Sequence, residues 1–175
     1  MAIPKVYFQN IKLNYSGATY TSGALLDPLS EYNIACQSFP FKYYPDAKDA
    51  FTTDWKDENG VDVYLPTEAK KKDYELEAEF IAKGAKGTTQ QNVKAFIEKL
   101  YGGGTLISSR WAVYDEHTGL GFKDVRVVSV DPDAYLNDDS DDEVVITFKI
   151  KFHVYDPVTK VTLHYTGGVV DALTW

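Results

Sequence analysis

Three histidines have the side chains best suited to acid–base chemistry near neutral pH. His117 lies in a Glu-His-Thr-Gly turn, whereas His153 and His164 lie in segments with the alternation typical of β-strands. None of them belongs to an HExxH, GxSxG, P-loop or GxGxxG pattern, each of which places reacting groups at a fixed spacing. The spacing therefore favours exposed or locally hydrogen-bonded histidines over catalytic or metal-binding ones.

Cys36 is the single cysteine of the chain. An intrachain disulfide and a paired-thiol zinc or redox site are therefore excluded. A nucleophilic cysteine needs a nearby base, and no histidine is close to Cys36 in the sequence. We interpret Cys36 as an ordinary buried or half-buried thiol.

Two groups of carboxylates have compositions that suit a cation site or an acid–base pair. The acidic run from Asp131 to Glu143 has no glycine and does not follow the ligand order of an EF-hand, so a solvated loop is favoured over a calcium site. Glu75, Glu77 and Glu79 alternate with apolar residues, which indicates the wet face of a strand rather than the two opposed carboxyls of a glycosidase. The sequence thus predicts no catalytic residue, no cofactor and no metal site.

An aromatic cluster is the third candidate, and it lies in a stretch rich in Gly, Ser, Pro and Tyr. Its members are Phe39, Phe41, Tyr43, Tyr44, Phe51 and Trp55. Tyr and Trp are enriched at interfaces. Two interpretations stay open: a loop folded over its own core, and a surface that contacts another molecule, which is either another subunit or a sugar. On the subunit interpretation, the predicted interface residues are Phe41, Tyr43, Tyr44 and Trp55.

Charge and composition restrict the class of partner. The chain has 175 residues, and 18 Lys and Arg against 26 Asp and Glu give a net charge of −8. This charge disfavours tight binding to nucleic acid or to an anionic membrane. A content of 44% hydrophobic residues predicts a globular chain. We expect a single domain over residues 1–175, without a signal peptide or a membrane span.

The periodicity of apolar residues predicts a mainly β fold. Strands are expected at Val6–Leu13, Val61–Leu65, Tyr74–Ala82, Thr105–Asp115, Phe122–Val130, Val144–Tyr155 and Val158–Tyr165, with a turn at Asp156-Pro157. Residues 16–54 are expected to form a long irregular segment with at most a brief strand. The order of strands favours a β-sandwich or an open antiparallel barrel.

One amphipathic helix is expected around residues 89–100. Val93, Phe96, Ile97 and Leu100 have the spacing of one helix face, Thr88 or Thr89 is a candidate N-cap, and three glycines follow Tyr101. This helix would lie against the sheet.

From Trp55 to Pro157 the order of these parts resembles that of tail proteins of long-tailed bacteriophages, the group of tail-tube, distal-tail and tail-completion subunits. The resemblance rests on the Trp55–Gly60 turn, the strand ending in Phe80, the helix Asn92–Leu100, the hairpin through Val125–Val128 and the strand closing on Tyr155-Asp156-Pro157. Proteins of that group look like β-sandwiches or barrels with one helix. They assemble as rings, usually hexamers, whose sheets join into a continuous inner barrel with a commonly acidic lumen.

The resemblance implies a structural subunit of a phage or prophage tail and no enzymatic activity. Its partners would be copies of itself in a ring and other tail proteins, without specific nucleic-acid binding. It would be assembled in the bacterial cytoplasm and located in the virion tail. The alternative is a carbohydrate- or small-ligand-binding β-sandwich, which would stay monomeric. A β-rich enzyme ranks third, because it requires a spatial cluster of groups with shifted pKa values.

Overall fold

The computed structural model describes residues 3–13, 19–53, 62–64, 67–68, 70–102, 109–137 and 142–175. The strands are β1 (Val6–Leu13), β2 (Thr19–Leu26), β3 (Ile34–Ser38), β4 (Phe51–Thr53), β5 (Asp62–Tyr64), β6 (Tyr74–Ala85), β7 (Trp111–Asp115), β8 (Leu120–Asn137), β9 (Glu143–Lys160), β10 (Thr162–Thr166) and β11 (Val169–Thr174). The helices are α1 (Pro28–Tyr32) and α2 (Lys86–Leu100). The predicted mainly β fold with a flanking amphipathic helix is confirmed.

Within the described residues, one large antiparallel sheet contains seven strands in the order β2-β1-β7-β8-β9-β6-β3. β8 and β9 are 18 residues long and form one hairpin. β6 pairs with the other side of β9, from Tyr74 opposite Val154 to Ala85 opposite Glu143. Strands β4 and β5, and strands β10 and β11, form two separate hairpins. The hairpin of β8 and β9 therefore holds the two halves of the large sheet together.

The large sheet curls around a core of phenylalanine rings. Every second residue of β9 from Val144 to Val154 is buried, as the alternation predicts. The rings of Phe8 on β1 and Phe152 on β9 are 6.0 Å apart. In a flat sheet their strands, with β7 and β8 between them, would be about 14 Å apart. The curvature therefore brings distant strands face to face across one core, as in a β-sandwich or an open barrel.

Helix α2 covers this core and begins earlier than predicted. The sheet pairing of β6 continues to Ala85, and the amide of Lys86 donates to the carbonyl of Asp142, so the strand passes directly into the helix. Thr89 is buried within the helix, and no side chain caps its first turn, so the prediction of Thr88 or Thr89 as N-cap is wrong. Phe96 and Leu100 face the core as expected. No helix in the described part of the chain is long and apolar enough to cross a bilayer.

Residues 16–54 contain more regular structure than predicted. They include β2, α1 and β3, so the prediction of a long irregular segment is wrong for this part, and α1 is a second helix. Asp27 caps α1 by accepting from the amides of Leu29 and Ser30, and Pro28 occupies the first turn. Asn33 ends the helix in the left-handed conformation. Five residues are too few for the 3.6-residue periodicity to show.

The predicted turn at Asp156-Pro157 is a bulge inside β9. Asp156 lies opposite Lys123 and Lys160 opposite Phe122, so the two strands differ in length here. A side-chain oxygen of Asp156 accepts from the amides of Val158 and Thr159. The strand therefore continues to Lys160, and the expected strand at Val158–Tyr165 is divided between β9 and β10.

A C-terminal hairpin of β10 and β11 covers part of the outer face of the sheet. Gly167 and Gly168 both have positive φ and connect its strands, which is the hairpin signal that the sequence prediction did not use. Leu173 packs in a small apolar cluster with Tyr7 and Ile11 of β1. The Leu173 amide also donates to the side-chain oxygen of Gln9, at 2.7 Å. The sheet is thus covered on both faces at its β1 end.

We expect Cys36 to react slowly with thiol reagents in the folded protein. Burial, together with the charge of Asp115, raises the pKa of Cys36 to about 12, and only the thiolate reacts. At pH 8 the reaction with Ellman's reagent should be about 100-fold or more slower than in guanidinium chloride. Equal rates in the folded and unfolded protein would contradict this placement.

Candidate assembly surface

The structure separates the four predicted interface residues. Phe41 is 5% exposed and packs between Phe39 and Phe122, with ring centroids 4.7 and 5.0 Å away. Its ring is therefore not accessible to a neighbouring subunit. Tyr43 and Tyr44 are 61% and 89% exposed. Trp55 lies outside the described residues.

The segment after β3 explains this division, because it crosses one end of the curled sheet. Phe39 contacts Phe8 and Phe152 inside the core. The amide of Lys42 donates to the hydroxyl of Tyr74, and the hydroxyl of Tyr43 donates to the carbonyl of Thr118 in the turn between β7 and β8. A loop folded over its own core therefore describes Phe39 and Phe41, whereas a contact surface stays a prediction for Tyr43 and Tyr44.

In the part of the chain that the structure describes, one edge of β8 has no partner strand over most of its length. β7 pairs with β8 only between Leu120 and Val125. From residue 126 to residue 137, β8 pairs with β9 on one side, and no strand in the described ranges lies along its other side. Such an edge presents backbone N–H and C=O groups that can pair with another chain. Val128 lies on this stretch and is 45% exposed.

Two bulges shape this edge. They lie between Val127 and Ser129 and between Pro132 and Ala134, where β8 has one more residue than β9. Bulges increase the local right-handed twist of a strand. An incoming strand must therefore follow a strongly twisted edge, which restricts the partners that fit.

On the other side of β8, the outer face of β9 and β6 carries paired charges. Glu77 and Glu79 lie 3.4 and 3.5 Å from the ammonium of Lys149, and Glu75 pairs with Lys151. The bond with Glu75 raises the pKa of Lys151, and the bond with Lys151 lowers the pKa of Glu75. The three glutamates therefore form the wet face of a strand, as predicted, and their charges face lysines rather than each other.

A buried carboxylate lies where β7 and β8 part. Asp124 accepts hydrogen bonds from Arg110, at 3.0 and 2.7 Å, and from Arg126. Burial opposes its ionisation, but the bonds from the two arginines hold the pKa of Asp124 below its ordinary value. Asp124 also has a positive φ of 57°, an unusual conformation for a residue with a side chain. The cluster therefore fixes the point at which the unpaired edge of β8 begins.

Arg126 extends this cluster across the outer face. Its guanidinium lies 4.4 Å from the ring centre of Tyr155, and that ring stacks on His153 at 4.1 Å. His153 in turn bonds Asp73 at 2.7 Å. Tyr155 is half-exposed, so this row of side chains presents a mixed aromatic and charged surface next to the edge of β8.

The histidines make local contacts. His164 lies 2.7 Å from Asp171, which also accepts from the hydroxyl of Thr166. In a catalytic triad the hydroxyl would instead bond the histidine, so this group orders the C-terminal hairpin. The locally hydrogen-bonded interpretation is confirmed for His164, whereas the partner of His153, Asp73, lies 80 positions away in the sequence. Among the described residues no cluster of His, Cys, Asp and Glu could hold a metal ion; residues 138–141 of the acidic run lie outside that set.

Sequence reasoning found the aromatic and acidic residues but missed the unpaired edge and the Asp124 cluster. Neither has a local sequence signal, because each depends on which strand lies beside β8. No protein-family model matches this sequence, and a comparison with curated proteins found no match. The contacts of the side chains and the β8 edge, which is unpaired within the described residues, are therefore the basis for an assignment.

Proposed function

We propose that the protein is a structural subunit of a phage or prophage tail that assembles with copies of itself into a ring or tube. The observation that supports the proposal is the long edge of β8, residues 126–137, which has no partner strand in the described part of the chain. The resemblance of the Trp55–Pro157 region to tail proteins is the reason for placing this assembly in a phage tail.

Assembly needs a second edge, and the terminal strands of the sheet offer it. β2 and β3 end the strand order, so each has one side without a neighbour in the described sheet. When the edge of β8 in one subunit pairs with a different edge in the next, the contact is head-to-tail. Head-to-tail contacts close into a ring when the rotation between subunits divides a full turn. A hexamer is the ring size that the resemblance favours.

The charge of the subunit suits a conduit for DNA. A net charge of −8 on each copy gives the ring a strongly negative field. Phosphate groups are repelled by such a field, so DNA would pass without binding tightly. Tyr43 and Tyr44 remain proposed contact residues, because their exposed rings can bury a large area with few rotatable bonds.

Replacing Val128 by lysine is the test of the edge. An incoming strand would remove water from the new ammonium, and this desolvation opposes pairing. Lysines on edge strands commonly prevent pairing with another strand. We expect assembly to weaken about tenfold or more. Light scattering over a range of concentrations and negative-stain images of the heaviest fraction measure the effect. Because Val128 is 45% exposed, the subunit itself should keep its stability to within about 0.5 kcal/mol.

Val63→Lys is the matched control, because Val63 is half-exposed on the separate hairpin of β4 and β5. This variant should assemble like the unmodified protein. Assembly of Val128→Lys at the same concentrations would exclude the β8 edge as the contact. An unmodified protein that stays monomeric at every concentration would contradict self-assembly itself.

A further inference from the structure

An open cavity of about 580 Å³ lies between the β1–β2 pair, α1 and the C-terminal half of α2. Its volume is in the range of small-molecule sites. The residues that matter to its chemistry are Lys12, Glu31, Tyr32, Glu98, Lys99 and Trp111. Phe41, Tyr43 and Tyr44 do not line it, so the cavity is a feature separate from the described part of the aromatic cluster.

A bulge in β2 bends the strand beside the cavity. Phe8 lies opposite Leu26 and Asn10 opposite Ser22, so three residues of β2 face Gln9 alone. Gly23 has a φ of +80°, and its carbonyl accepts from the side-chain amide of Gln9 at 3.1 Å. The hydrogen bond from Gln9 therefore holds the bulge in place. Gly23 also forms part of the cavity wall.

The charged groups around the cavity are balanced in sign. Within the described residues, Lys12 and Lys99 make no ion pair or side-chain hydrogen bond, so both ammoniums can donate to a ligand. Glu98 is 3.8 Å from Lys94, and Glu31 accepts one weak bond from the amide of Asp27. Both carboxylates thus retain acceptor capacity. Two cations and two anions favour a ligand without net charge but with many donors and acceptors.

Two aromatic rings line the same cavity and are held in place. The ring of Tyr32 packs 5.8 Å from that of Phe96. The indole N–H of Trp111 donates to the carbonyl of Leu100 at 2.9 Å. Because Trp111 is only 3% exposed, the half-buried ring of Tyr32 is the aromatic face that a ligand can reach. A fixed aromatic face suits a ligand with a flat apolar side, and a carboxylate or ammonium at the rim suits hydroxyl groups. Sugar rings combine an apolar C–H face with hydroxyls that both donate and accept.

We propose that this cavity binds a neutral oligosaccharide of two or three rings. One ring stacks on Tyr32, its hydroxyls donate to Glu31 and Glu98, and other hydroxyls accept from Lys12 and Lys99. Because the two lysines and the two carboxylates balance each other, the net charge of −8 on the whole chain is what disfavours an acidic sugar. The proposal goes beyond a structural role and does not depend on assembly.

The test uses a panel of neutral di- and trisaccharides built from glucose, galactose and N-acetylglucosamine with α and β linkages. Saturation-transfer NMR detects binding, and titration calorimetry measures affinity. Glu98→Gln should weaken binding about tenfold, because a neutral amide replaces a carboxylate acceptor on an exposed part of α2. Glu77→Gln, on the outer face of β6, is the matched control and should leave the affinity unchanged.

Four results would overturn the proposal. The first is that no panel member binds at about 10 mM, and the second is that Glu98→Gln binds a saccharide with the same affinity as the unmodified protein. The third is that the matching uronic acids bind with the same affinity as the neutral sugars. The fourth is that Glu98→Gln loses assembly although no saccharide binds. The last result would assign the cavity to another copy of the chain. Measuring Val128→Lys in parallel separates this test from the assembly proposal, because sugar binding should be the same in that variant.

Discussion

Replacing Phe8 by alanine is expected to lower the free energy of unfolding by about 4 kcal/mol. Phe8 is fully buried, and its ring lies 6.0 to 6.3 Å from those of Phe39, Phe96, Trp111 and Phe152. Removing the ring leaves a cavity where the strands, α2 and the segment after β3 meet. Guanidinium denaturation followed by tryptophan fluorescence and circular dichroism measures the loss.

Tyr44→Ala is the control, because Tyr44 is also a large aromatic residue but is 89% exposed. Its effect on the free energy of unfolding should stay within about 0.5 kcal/mol. Similar losses in the two variants would mean that the core is not centred on Phe8. The same comparison shows why Phe41 is a poor probe of assembly: its truncation would destabilise the fold before any contact between subunits is tested.

The long strands were predictable from the sequence because their two faces differ. Tyr74 to Ala82 was predicted from a strict alternation, and β6 begins at Tyr74 and extends to Ala85. The alternation from Val144 onward gave β9 in the same way. Each of these strands has one face in the core and one in water, so apolar and polar residues alternate along its sequence. The helix was predictable in the same way, because its apolar residues recur at helical spacing and two of them, Phe96 and Leu100, are buried.

The short elements and the curvature were not predictable by the same means. α1 is held by its Asp27 cap and by Pro28, which resemble an ordinary turn when read in one dimension. Phe41 packs on Phe122, 81 positions later, because the sheet curls and the segment after β3 crosses its end. Periodicity within a segment says nothing about which segments meet. The aromatic cluster could therefore be found, but its division between core and surface could not.

The candidate surfaces illustrate the same limit of local patterns. Among the described residues, the edge of β8 is unpaired beyond Val125 because β7 has five residues whereas β8 has 18. The cavity exists because a bulge in β2 lies across from α2. Asp124 lies on β8, and Arg110 lies 14 positions earlier, just before β7 begins. Each feature comes from a mismatch between neighbouring elements, which only the assembled fold defines.

Replacing Asp124 by asparagine is expected to cost about 3 kcal/mol of unfolding free energy at pH 7. The change keeps the shape of the side chain and its tolerance of positive φ, but it leaves Arg110 and Arg126 without their shared anion. Asp124→Ala should cost about 1 kcal/mol more, since alanine adopts the left-handed conformation less readily. Guanidinium denaturation of the three proteins measures both differences, and equal stability of Asp124→Asn and the unmodified protein would contradict the ion cluster.

The pH dependence of this loss identifies its cause. The two arginines hold the pKa of Asp124 below its ordinary value in the folded state, whereas the unfolded chain should have a value near about 3.9. A carboxylate with a lowered folded pKa contributes its full stabilisation above the unfolded pKa and loses it as the pH falls through the folded pKa. The difference between the unmodified protein and Asp124→Asn should therefore be constant from about pH 6 to 8 and should shrink below about pH 4. A difference that stays the same down to about pH 2.5 would instead indicate that the asparagine disturbs packing rather than charge.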